Sequence, residues 1–106
     1  MKILAIEKEL KGKTADDFQP HLKPEARRVW ELYKEGSIRE IYFRSDQRNA
    51  ILILECDNMD EAKEKLSTLP LVKEHLIYFE FIQLVPYPGF ERLFEKKWSN
   101  KNILTF

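Results

Sequence analysis

Four acidic side chains interrupt runs that are otherwise apolar: Glu7 in ILAIEKEL, Glu40 in IREIYF, Glu55 after ILIL and Glu80 in IYFEFI. A carboxyl group among apolar neighbours is suited to moving protons near neutral pH, because lost hydration disfavours its charged form. Glu80 stands among Tyr78, Phe79 and Ile82 and is the expected proton-transfer group. His21, in a loop before the first helix, is a second acid–base candidate. Arg44 ends a strand and carries the fork that binds a carboxylate bidentately. With Tyr42, Tyr78 and Trp30, Arg44 and Glu80 are expected to border a pocket between the first helix and the sheet. Polar groups on apolar strand faces need partners, and a partly wet cavity supplies them. A plainer reading stands beside this one. Each strand acid could be an edge charge paired with Arg39, Arg44 or Arg48, Trp30 could be helix core, and His21 and His75 could be surface histidines.

Other chemistries find less support. Two histidines and one cysteine lie far apart without ligand spacing, so no metal is expected. With three glycines in all, there is no glycine-rich phosphate loop. Eighteen basic and eighteen acidic residues cancel without a basic stripe, which argues against nucleic acid. No apolar run approaches the ~20 residues of a membrane helix. The start, MKILAIEKEL, is too charged for a signal peptide. Cys56 reads as a small buried hydrophobe, and a lone cysteine fits a reducing cytoplasm.

These residues must be held by a simple order of elements. Lys2–Leu10 reads as a strand, with Ile3 and Ala5 on one side and Leu4 and Ile6 on the other. Lys11–Lys23 is a polar connection. A helix from Pro24 to Glu35 buries Ala26, Val29, Trp30 and Tyr33, and Gly36 stops it. Ile38–Cys56 forms a hairpin turning at Ser45–Asn49, with Ile41 and Phe43 opposed to Ile38 and Tyr42. Asn58 caps a second helix, with Glu61 three residues on, and Pro70 closes it. Leu76–Val85 is the last strand. Beyond it, Phe90, Leu93, Phe94 and Trp98 mark a short amphipathic helix, followed by Ile103, Leu104 and Phe106.

The order is β-α-β-β-α-β, which predicts an α+β, ferredoxin-like fold: a four-stranded antiparallel sheet with two helices on one face. Residues 1–88 make the domain, and 89–106 an extra C-terminal helix and tail packing on the domain or a partner. Every strand is apolar on both faces, yet two helices cover only one. The expected cover for the other is a second copy, giving a dimeric α/β barrel or a higher homo-oligomer.

Two phrases carry a resemblance. Lys34-Glu35-Gly36, ending the first helix, and Leu66-Ser67-Thr68-Leu69-Pro70-Leu71, leaving the second, resemble the muconolactone delta-isomerase family of dimeric α/β barrels. The resemblance implies an enzyme without a cofactor that moves a proton along an unsaturated lactone or similar small acid. The alternatives are a module of the same type that binds or senses a small molecule without turnover, and a purely structural oligomer.

Overall fold

The structure, a computed structural model, describes residues 1–94. Four strands, β1 (Lys2–Glu9), β2 (Ile38–Phe43), β3 (Ala50–Glu55) and β4 (Ile77–Leu84), form one antiparallel sheet in the order β2-β3-β1-β4. The helices are α1 (Ala15–Phe18), α2 (Leu22–Lys34), α3 (Met59–Leu66) and α4 (Pro70–Lys73). The α+β, ferredoxin-like order expected from the sequence is therefore present. Its polar connection is more structured than expected: α1 and a 3-10 turn over Gln19–His21 lead straight into α2. Pro24 sits inside the first turn of α2, where its missing N–H costs nothing.

The helix ends follow from local chemistry. Gly36 adopts φ +92°, and two hydrogen bonds close α2 behind it, Gly36 N–H to Tyr33 O at 3.1 Å and Ser37 N–H to Leu32 O at 3.0 Å. Asn58 Oδ1 accepts from Glu61 N–H at 2.8 Å and starts α3. Pro70 does not close that helix. It opens α4, where a proline is tolerated because the first N–H has no partner anyway. His75 then repeats the geometry of Gly36 at φ 57°, with hydrogen bonds from His75 N–H to Val72 O and Leu76 N–H to Leu71 O.

The core lies between helices and sheet. Ile3, Ala5, Leu52 and Leu54 meet Leu32 of α2 and Ala62 and Leu66 of α3, each almost fully buried. Each such Leu or Ile contributes roughly 1.5–3 kcal/mol. Lys65 Nζ donates to the buried Ser37 Oγ at 2.8 Å and pairs with Glu35, joining the ends of α2 and α3 beside β2. In β2 the expected alternation fails. Ile38 pairs with Leu54 and Glu40 with Ile53, so Arg39 is an extra residue, a bulge that reverses the parity. Ile38, Ile41 and Phe43 consequently share the helix side, opposite Leu54, Leu52 and Ala50, while Tyr42 pairs with Ile51 on the other face.

That other face carries Leu4, Ile6, Ile51 and Ile53, half-buried, with Tyr42, Tyr78 and Ile82 exposed. After β4, residues Gly89–Leu93 form a 3-10 turn, and Phe90, Leu93 and Phe94 are exposed. The Tyr87 ring lies over Gly89, where a Cβ would come within 2.0 Å of its oxygen, and meets Phe90 edge to face at 5.1 Å. Trp98, Ile103, Leu104 and Phe106 lie outside the described residues.

Candidate active site

A cavity of about 760 Å³ opens between α2 and the end of the sheet where β1 finishes and β4 begins. Two features of the sequence keep it open. Ala26 on α2 and Ala50 on β3 face it with methyl groups, where larger side chains would fill it. The apolar face of α2 is also turned. Leu32 is its one fully buried side chain, whereas Trp30 and Tyr33, expected in the core, are 56% and 46% exposed. With Ala26 and Val29 they wall the cavity instead. Periodicity identified an apolar face but could not tell a core from a cavity. Trp30 stacks on Tyr33 at 5.9 Å, and Ile41 and Phe43 stand on the β2 side of the mouth.

Two carboxyl groups reach this apolar space. Glu7 continues the helix-facing set of Ile3 and Ala5. The β1–β3 register ends at Ile6–Ile51, and one residue further the Glu7 side chain takes over, with Oε1 accepting from Ala50 N–H at 3.2 Å. Asn49 Nδ2 donates to Glu7 O at 2.9 Å and holds the same corner. Glu25 lies in the first turns of α2 and reaches across to α4, where its Oε1 accepts from Leu71 N–H at 2.9 Å. Leu71 is the second residue of α4, so Glu25 satisfies one of the N–H groups that a helix start leaves unpaired.

Burial pushes both carboxyls above the ordinary glutamate range. For Glu7 the bond from Ala50 opposes that rise and the charge of Glu9 adds to it. For Glu25 the bond from Leu71 opposes it and the charge of Glu7 adds to it. Neither acid belongs to an ion pair, and each keeps a second oxygen free of hydrogen bonds among the described residues. Two acids whose pKa burial raises, facing an apolar cavity, can accept and return a proton.

The other sequence candidates are placed elsewhere, with a physical reason in each case. Glu80 pairs with Ile6 and Tyr78 with Lys8, which puts both on the face opposite the helices, away from the cavity. Tyr42 and Glu40 touch the cavity at its β2 edge. The bulge turns them towards the opposite face, where Tyr42 Oη donates to Glu40 Oε1 at 2.6 Å. Arg44 is spent at the hairpin, with Nε and Nη2 on the two oxygens of Asp46 at 3.0 and 2.6 Å. His21 stands just before α2, its side chain making no capping bond, and outside the cavity lining. Glu55 pairs with the Met1 ammonium at 2.7 Å, which lowers its pKa. Burial raises the Cys56 thiol, in keeping with a packing role. Of the candidates, Trp30 walls the cavity. Glu7 was visible in the sequence as an acid interrupting an apolar face. Glu25 was missed, and its signal was a place one turn before Val29 and two before Leu32 on the same helix side.

No protein-family model matches the sequence, and no curated protein matches it either. Solved structures do. Muconolactone isomerase superposes with a TM-score of 0.66 at 16% identity, over 83% of this chain and 92% of that one. A 5-chloro-2-hydroxyhydroquinone dehydrochlorinase from Burkholderia phenoliruptrix AC1100, in complex with 2,5-dihydroxybenzoquinone, superposes at 0.60 and 17% identity, over 82% and 96%. The chain has the muconolactone isomerase fold. The two phrases that carried the resemblance are structural parts of that fold here. Gly36 is the left-handed stop of α2, and Leu69-Pro70-Leu71 starts α4 and presents the N–H that Glu25 accepts. Among the described residues, no helix is long and apolar enough to cross a membrane.

Proposed function

We propose that the chain is a cofactor-independent enzyme that moves a proton within a small unsaturated ring compound, using Glu7 and Glu25 as its acid–base pair. The observation that carries this reading is the pair of half-buried carboxyls, each held by one backbone N–H, facing an apolar cavity of about 760 Å³. That volume suits a small molecule. One carboxylate takes the proton from the γ-carbon of the conjugated carbonyl, and the electron pair shifts through the double bond to the carbonyl oxygen as a dienolate. The other carboxyl, protonated, delivers a proton further along the conjugated system, so the ring is isomerised and the proton count is unchanged. The charge of Glu7 adds to the rise at Glu25, which sets the two acids apart for the two roles. Trp30, Tyr33 and Phe43 offer aromatic faces to the ring. The fold neighbours, a lactone isomerase and a dehydrochlorinase, lend support because both names describe enzymes of small rings.

The assembly proposed with it is a homodimer through the helix-free sheet face, where Leu4, Ile6, Ile51 and Ile53 await cover. The deciding experiment is incubation of the protein with an unsaturated lactone in heavy water. Deuterium entering the ring, and its loss in Glu7→Gln and Glu25→Gln, is expected. Binding without deuterium incorporation would make the chain a binding module and overturn the catalytic reading.

A further inference from the structure

We infer that the pocket selects an uncharged, flat ring with a hydrogen-bond-donating edge, such as a phenol or enol, and rejects rings that carry a carboxylate. This deepens the proposed function and rests on its use of the cavity as the ligand site. Most of what faces the cavity is apolar or aromatic, and the two half-buried polar side chains in its lining, Glu7 and Glu25, are both acids. Their free oxygens can accept from a hydroxyl on the ligand edge, and the broad faces of Trp30, Phe43 and Phe79 suit a planar ring.

Next to Glu7 and Glu25, which no cation pairs, a ligand carboxylate has no counter-charge at hand. Arg39 is the one basic residue in the lining, and its Nε donates to Gly36 O at 2.7 Å, beside the β2 bulge. Its field helps lower the pKa of Glu55, at the other end of β3. Arg44, the guanidinium that could have anchored an anion, is held by Asp46 outside the cavity. An anionic ligand would therefore lose its hydration beside acids, with repulsion in place of pairing. A phenolic edge loses less hydration and gains two acceptors.

The test compares two ligands of similar shape, 4-hydroxybenzyl alcohol and 4-hydroxybenzoate, at a pH where the second is ionised. Titration is followed on the amide NMR signals of Ala50 and Leu71, the donors to the two acids. The alcohol is expected to shift both and to bind at least about tenfold more tightly than the benzoate. Glu7→Gln and Glu25→Gln, which keep an acceptor for each amide, are expected to narrow that preference. Equal or tighter binding of the benzoate at the same amides would overturn the selectivity and leave the pocket standing as a ligand site. If neither compound moves these amides at millimolar concentration, the cavity is not the ligand site, and the proposed function falls with this inference.

Discussion

Replacing Glu25 in two ways separates its structural bond from its charge. The bond runs from Leu71 N–H, in a residue that is 7% exposed, to Glu25 Oε1 at 2.9 Å. Glu25→Ala leaves that donor without an acceptor, which costs about 1–3 kcal/mol. In a domain of this size that is a fall in Tm of about 4–8 °C per kcal/mol. Glu25→Gln keeps an acceptor and removes the charge. Burial holds the folded carboxyl above its ordinary 4.5. Its contribution to stability is therefore complete below the unfolded pKa and is lost as pH rises through the folded value. The Gln variant does not titrate. Relative to the wild type, it should be more stable at a pH above the folded pKa than at one below the unfolded pKa, because the wild type loses its contribution between the two. Urea unfolding at both pH values measures this as a change in midpoint at constant slope. Glu7→Gln should behave in the same way, because its folded carboxyl is also raised by burial. A Gln variant that loses ground as pH rises would mean that the charged carboxylate is favoured in the folded chain. The acid-pair reasoning would then be refuted.

Three further outcomes are expected. Ile53→Lys, on the helix-free face, should leave the protomer folded and abolish the dimer, read by sedimentation; a wild type that is monomeric at micromolar concentration refutes the face-to-face assembly. Gly36→Ala should destabilise by about 1 kcal/mol, because φ +92° disfavours any side chain even though the nearest atom to a new Cβ, Arg39 Nε, is 3.9 Å away. His75→Gly, at φ 57° in the matching turn, should stabilise by about 0.5–1 kcal/mol, and a fall in the urea midpoint would show that the imidazole makes a contact outweighing the strain.

Much of this protein is decided within a few residues of chain. Gly36 and Asn58 end and start helices through their own backbone freedom and side-chain oxygen, so those boundaries are legible without a fold. Strand positions and the β-α-β-β-α-β order follow from short apolar runs and turns, and that order leaves few topologies. What sequence could not decide is which strand face meets the helices, because both faces are apolar and carry the same signal. Glu7 and Glu80 show the consequence. Each interrupts an apolar set, yet the register places Glu7 under α2 and Glu80 on the opposite face. In β2 the bulge at Arg39 reversed parity, and nothing local in IREIYF announces it. Glu25, in the first turns of α2, was not singled out by the sequence. Only the arrival of Leu71, 46 residues away, gave it a partner, in a place where the charge of Glu7 reaches it. Caps and runs are set by short-range sterics and hydrogen bonding, whereas a pocket is set by which distant elements exclude water together.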